Sequence, residues 1–327
     1  MNTVSKIFTQ KRILWLIKLA IALLVMGVLV RNVNSREILN AFKNPQYPVY
    51  IIIAGLLLIP NMFIQWYRWH FLLKLIQQDI RPIESIQSFF GGVAVGFVTP
   101  GRLGEFGRPF FLQSIDRMQG MGMVLIDKIY AFLTIFIGGS WGLIALVSYY
   151  FRYNLFLMMP LVLIGLLITI FGTILMVNPF PLRSFLYHLS VMLPARDKLK
   201  QIIECMDRIK KTEAIHFTVY SWFFYGVYIL QFCLLAFAFQ QIAFTTALTA
   251  TTSTMFTKTL IPVSFADLGV REGASIFFFL RFQVDKVTAF NSALLLFVIN
   301  IVIPTIVGLF FLPKMSLTLN HKKSDPS

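Results

Sequence analysis

The sequence predicts an all-α polytopic membrane protein, with six full spanning helices plus two re-entrant or broken helical hairpins arranged as an inverted repeat. Three observations carry this. Of 327 residues, 57% are hydrophobic and only 13% charged, with a mean hydropathy of +0.75; soluble domains carry about 25% charged residues. Six apolar runs approach or exceed the roughly 20 residues that cross a bilayer as a helix. Two more apolar regions are broken near the middle by proline, glycine and charge. The whole of 1–327 is expected to form a single integral membrane domain.

The six runs are 13–30, 48–67, 129–150, 155–177, 214–239 and 288–312. The first follows Lys11 and Arg12. It is too long for a signal-peptide core and no small-x-small cleavage pattern follows, so it is read as a retained helix. Aromatics crowd the run edges, as in Trp66-Tyr67, Tyr149-Tyr150 and Trp222, which suits interfacial belts. Asp127 and Lys128, with Asp116 and Arg117, are expected to mark the interface where 129–150 begins, and Asp127 is a candidate for proton coupling. The segment 178–213 is the one sizeable polar stretch. Its Leu199, Ile202, Ile203, Met206 and Ile209 follow helical spacing, with Lys198, Lys200, Arg208 and Lys210 on other faces. That pattern predicts a cytoplasmic amphipathic linker on the membrane surface.

The net charge of +15 does not point to nucleic acid, because the basic residues flank apolar runs instead of forming one aromatic-laced surface. They report topology. With the N-terminus inside, sixteen Lys/Arg fall on 1–12, 68–82, 178–213 and 313–327, against six on the outer segments. Both termini are therefore expected in the cytoplasm, in the cell (inner) membrane. The two cysteines and four histidines show no disulfide framework or metal-ligand spacing. No P-loop, GxGxxG, GxSxG or HExxH pattern is present, so no cofactor is expected.

The interrupted regions are 83–117 and 245–281. Irregular backbone at membrane depth is tolerated where protein buries it or where it lines a wet cavity. The topology makes the first hairpin enter from the cytoplasm and the second from the opposite side. Half-repeats of about 48–150 and 214–312 then run in opposite orientations, an arrangement many secondary transporters use to build a site from broken segments.

Charge at these breaks is costly and marks a functional site. In the first, Thr99 to Pro109 reads TPGRLGEFGRP. Pro100, Gly101 and Gly104 break the helix; Arg102, Glu105 and Arg108 are candidate substrate-binding residues. Arginine offers a planar fork for phosphate, and the three side chains sum to one positive charge, which suits an anionic headgroup. In the second, Pro262 and Gly269 form the break, and Asp267, Arg271 and Glu272 are the candidates. Arg271 is placed to meet Glu105 across the pseudo-symmetry axis, and Glu272 to meet Arg102 or Arg108. Gly92 and Gly96, and Gly138 and Gly142, are spaced for close helix packing.

With these residues in hand, the chain resembles the transmembrane region of lysylphosphatidylglycerol synthase, the flippase-like domain family. PGRLGE (Pro100 to Glu105) with Arg108, and Pro262 with LGVRE (Leu268 to Glu272), carry the likeness. It implies a bacterial or archaeal membrane protein that handles lipids. Larger members add an aminoacyltransferase domain; here only Pro313 to Ser327 follow the last apolar run, so aminoacylation is not carried over. The chain departs from the family at Val263 to Asp267, where small residues and glycines are more common. The resulting expectation is a lipid translocase that moves an anionic phospholipid or glycolipid headgroup between the two charged hairpins. Arg102, Arg108 and Arg271 would hold phosphate, and Glu105, Glu272 and Asp267 would balance them. The alternatives are a membrane enzyme or accessory subunit acting on lipid-linked sugars, and a lipid-binding scaffold. The partners expected are membrane lipids with anionic or glycosylated headgroups, and a second copy in a homo-oligomer.

Overall fold

A computed structural model describes residues 27, 31, 35–99, 101–151, 154–191, 203–261 and 268–315. All their regular elements are helical, and no strand occurs among them. The predicted span 13–30 lies outside the described residues apart from Gly27, as do Pro100, Pro262 and Asp267.

Helix α1 (Ser35–Lys43) places Glu37 in its first turn and Lys43 in its last, complementing the helix dipole. Two collinear pieces follow, α2 (Pro48–Leu56) and α3 (Leu58–Lys74). They part at Leu57 because Pro60 has no N–H to donate to the Leu56 carbonyl. Helix α4 (Pro82–Phe97) ends at the first break, and the chain returns as a 3-10 helix, Leu103–Phe111. The longest element, α5 (Arg117–Tyr150), starts where the Asp116 carboxylate accepts the Met118 N–H at 2.8 Å. Helices α6 (Leu155–Val177) and α7 (Pro179–Val191) lead to a short 3-10 turn, Cys205–Arg208. The rest comprises α8 (Lys211–Phe237), α9 (Phe244–Leu260), α10 (Val270–Leu280), α11 (Lys286–Phe297), a π turn (Val298–Val302) and α12 (Ile303–Leu309). The π turn precedes Pro304, which cannot donate to the Asn300 carbonyl, so the ladder widens there.

Five described segments are long and apolar enough to cross a membrane: Pro48–Lys74, Arg117–Tyr150, Leu155–Val177, Lys211–Phe237 and Lys286–Leu309. Their outer faces carry many exposed apolar residues, such as Phe156 and Phe171 on α6 and Ile59 and Phe63 on α3. The two interrupted regions appear as helix, break, second segment, in both halves.

One expectation is corrected here. Asp127 and Lys128 do not open a helix; α5 begins at Arg117, and the pair lies three turns inside it. Ionic partners on neighbouring segments make those interior charges tolerable. The apolar stripe of the linker faces protein in its described part. Ile203, Met206 and Ile209 are buried, and Met206 and Ile209 join a core with Met123, Ile126 and Phe217. Leu199, Ile202, Lys198 and Lys200 lie outside the described residues.

Packing fixes the positions of the breaks. Helix α4 lies on its own 3-10 return segment and on α12; α9 lies on α10 and on α5. Glycine sets the close approaches: a Cβ at Gly308 would lie 2.2 Å from the Phe90 carbonyl oxygen, and one at Gly142 would lie 2.2 Å from Thr252 Oγ1. Helix α8 packs on α2, α3 and α11 and so joins the two halves.

Candidate functional site

The first break is built from backbone up. Gly101 and Arg102 both take left-handed conformations, with φ of 59° and 57°. The second is strained for a residue with a Cβ, by about 1–2 kcal/mol. Thr99 Oγ1 accepts the Gly104 N–H at 2.6 Å and closes the turn. Gly104 packs so tightly that a Cβ there would fall 2.3 Å from the Val95 carbonyl oxygen. The return segment rests on glycines of α4: Gly92 lies under the Arg108 side chain and Gly96 under Glu105. The Gly92–Gly96 pair thus seats the charged segment itself, where packing against another helix was expected. Ser88 Oγ donates to the Arg108 carbonyl at 2.8 Å. The Glu84 carboxylate accepts the N–H groups of Gln113 at 2.7 Å and Ser114 at 3.2 Å, holding the base of the hairpin.

This scaffold presents a continuous ionic network. Glu105, 1% exposed, receives Arg108 at 2.5 Å, Lys128 at 2.5 Å and Arg102 at 2.7 Å. The Arg102 contact is an ion pair whose angle is not that of a hydrogen bond. Asp127 bridges Arg68 at 2.8 Å and Arg108 at 3.1 Å. The guanidinium faces lie on aromatic rings: Arg68 over Phe217 at 4.9 Å and Phe224 at 5.5 Å, Arg108 over Phe89 at 5.1 Å and Trp69 at 5.3 Å. Stacked faces and paired edges are how arginine is held in an apolar interior. Four cations meet two carboxylates, so the network carries two positive charges in excess.

A cavity of about 230 Å³ opens onto this network. Gln65 and Arg68 of α3, and Gly101, Arg102, Glu105 and Arg108 of the first break, form one wall. Asp127, Lys128, Phe132 and Ile135 of α5 form another. The second half of the chain completes it with Phe224, Tyr225 and Tyr228 of α8 and Met255, Lys258 and Thr259 of α9. Both halves therefore contribute. Among the described residues, the buried Nε groups of Arg68 and Arg108, and the Tyr225 hydroxyl, have no hydrogen-bond partner. Unsatisfied buried donors are costly, and here they border a space that an acceptor can enter.

The second break is organised differently. Gly269 has a φ of 86°, open to glycine. Its N–H donates to the Glu272 carboxylate at 2.7 Å, and the other carboxylate oxygen pairs with Arg271 at 2.5 Å. Arg271 and Glu272 are fully enclosed and do not line the cavity. The expected pairs across the axis, Arg271 with Glu105 and Glu272 with Arg102 or Arg108, do not form. Glu105 is saturated by Arg102, Arg108 and Lys128, and Glu272 caps its own helix. The two breaks meet through Phe297 instead: Phe97 stacks on its ring at 6.3 Å, and Arg271 lies over it at 5.2 Å.

A family model described as the lysylphosphatidylglycerol synthase TM region matches residues 15–308. The chain belongs to that family. Comparison with curated proteins and with solved structures finds no match. Membership in the lysylphosphatidylglycerol synthase membrane-region family places the chain among membrane proteins of lipid metabolism or transport.

Within this family frame, the structure brings Arg102, Glu105 and Arg108 together and separates Arg271 and Glu272 from them. The sequence reading missed Arg68 and Lys128 as network members. Arg68 was assigned to a loop, because the apolar run stops at Tyr67. The signal that identifies it is the aromatic setting Trp66-Tyr67-Arg68-Trp69 with helix-forming residues on to Lys74. It also missed a buried amide cluster. Asn61 donates to Asn300 at 2.9 Å and to Gln231 at 3.2 Å; Asn300 donates to Gln231 at 2.8 Å; Gln65, a cavity residue, donates to Asn61 at 2.8 Å.

Proposed function

We propose that the chain is a lipid translocase without a nucleotide motor, which passes an anionic phospholipid or glycolipid headgroup through the cavity between its halves. The observation that carries this reading is the network of Arg68, Arg102, Arg108 and Lys128 around Glu105 and Asp127, bordering a cavity to which both halves contribute. Arg102 and Arg108 contact the phosphate; Glu105 and Asp127 hold the cations in place and exchange them as the headgroup moves. Gly269 and the Arg271–Glu272 pair fix the second break, and Gly101 and Gly104 fix the first.

The two halves are an inverted repeat in this reading. Support comes from reciprocal packing. Helix α4 of the first half lies on α12 at the end of the second, and α9 of the second half lies on α5 at the end of the first. Helices α3 and α8, which correspond, lie on each other. The positive-inside bias supports cytoplasmic termini in the cell membrane. Enzymatic action on lipid-linked sugars is disfavoured, because both acids at the site are engaged by cations and neither is poised as a general acid or base.

The test is flipping of headgroup-labelled anionic lipid in proteoliposomes. An Arg102→Ala, Arg108→Ala double variant is expected to lower the rate at least about tenfold, equivalent to losing one charge-assisted contact of about 1.5–3 kcal/mol. Wild-type rates in that variant refute the reading.

A further inference from the structure

The charge balance of the cavity narrows its ligand. Around Glu105 and Asp127, the two carboxylates already pair with Arg102, Arg108, Lys128 and Arg68, and Glu105 Oε1 takes the Arg102 ion pair without a hydrogen bond. Two positive charges stay uncompensated, with Arg68, Arg108 and Glu105 almost wholly buried. The remaining walls add apolar Phe132, Ile135, Phe224 and Met255, the neutral polar groups of Gln65, Tyr225, Tyr228 and Thr259, and a further cation, Lys258, but no further carboxylate among the described residues. Each buried charge without a counter-charge costs several kcal/mol. Against the two excess charges of this network, with Lys258 a further cation on the wall, a zwitterionic headgroup brings no net compensation, a phosphodiester monoanion brings one negative charge, and a dianion brings two. The unpartnered donors Arg68 Nε, Arg108 Nε and Tyr225 Oη supply hydrogen bonds that a phosphate with several terminal oxygens can use.

We infer that the cavity selects a doubly charged phosphate group, a phosphomonoester or a diphosphate, over phosphodiester and zwitterionic headgroups. This inference rests on the reading of the cavity as the headgroup site. The shared chemistry is the dianion; its source is either a lipid headgroup or a free phosphate in solution.

The full chain, purified in detergent, is titrated with phosphatidate, phosphatidylglycerol and phosphatidylcholine of identical acyl chains, and binding is read by native mass spectrometry. At about pH 8, phosphatidate is expected to bind at least tenfold more tightly than phosphatidylglycerol (about 1.4 kcal/mol). At about pH 5 the ratio is expected to fall toward one, because a phosphomonoester dianion takes up a proton near pH 6 and becomes a monoanion. Lys128→Gln is expected to lower phosphatidate affinity and shrink the ratio; its half-exposed side chain tolerates loss better than Arg68→Gln, the second variant. Displacement of phosphatidate by equimolar inorganic pyrophosphate upholds the dianion and assigns it to solution; failure to displace upholds it as lipid. Equal binding of phosphatidate and phosphatidylglycerol, both lost in Arg102→Ala, Arg108→Ala, overturns this inference and leaves the translocase reading intact. Binding of none of the three lipids overturns both.

Discussion

Asp127 is the residue on which the site turns, since it alone ties Arg68 of α3 to Arg108 of the first break. Asp127→Asn removes the charge that Arg68 and Arg108 share. Breaking a buried pair costs about 3–5 kcal/mol, so this variant is expected to lower the thermal midpoint in detergent well beyond a surface control. An unchanged midpoint would show that Asp127 carries no structural charge. Gly104→Ala forces a Cβ to within 2.3 Å of the Val95 carbonyl; it is expected to abolish the folded monodisperse protein by size-exclusion chromatography. At this scale, the motif residues Arg102, Glu105 and Arg108 were legible, because charges among prolines and glycines in an apolar chain stand out. Arg68 and Lys128 were not, and Asp127 was legible as a proton-coupling candidate but not as a partner of Arg68 and Arg108. Each sits at the edge of an apolar run, where charge usually marks the interface, and only tertiary pairing reveals that they are inside.

The elements show which patterns carry structural information and which mislead. The described apolar runs became helices, and Gly101 and Gly269 lie at the breaks where they were expected. The return limb of the first hairpin is a 3-10 helix, because Pro109 and the three glycines between 101 and 107 leave no stretch suited to regular α-helix. The linker stripe was ambiguous because a buried turn and a membrane-surface helix share the same spacing of apolar residues. Burial of that turn pushes the Cys205 thiol up to about 11. Its thiolate fraction near pH 7.5 is thus roughly a hundredfold below that of an ordinary thiol. Maleimide labelling of Cys205 in folded protein is expected to be correspondingly slow and to recover on denaturation. Fast labelling would place the turn in water. The amide cluster makes a separate prediction. Asn300→Leu at the π turn removes one hydrogen bond each from Asn61 and Gln231, which keep their bond to each other, and is expected to cost about 1–3 kcal/mol for the two bonds together, read as a lower unfolding midpoint.

On the scale of the molecule, the proposed repeat rests on topology arithmetic, since the two motifs share little beyond Pro, Leu-Gly and charge. The two breaks differ in what they do. The first offers its charges to a cavity; the second seals Arg271 against Glu272 and Phe297. The cavity is lined by both halves through α8 and α9, and in the proposed translocase it is the route of the headgroup. Ala131 lines it and carries no charge. Ala131→Trp therefore fills the route while leaving every ion pair in place. Measured in proteoliposomes against wild type at matched unfolding midpoint, it is expected to slow anionic-lipid flipping at least about tenfold. A plugged cavity that flips lipid at the wild-type rate would contradict the account.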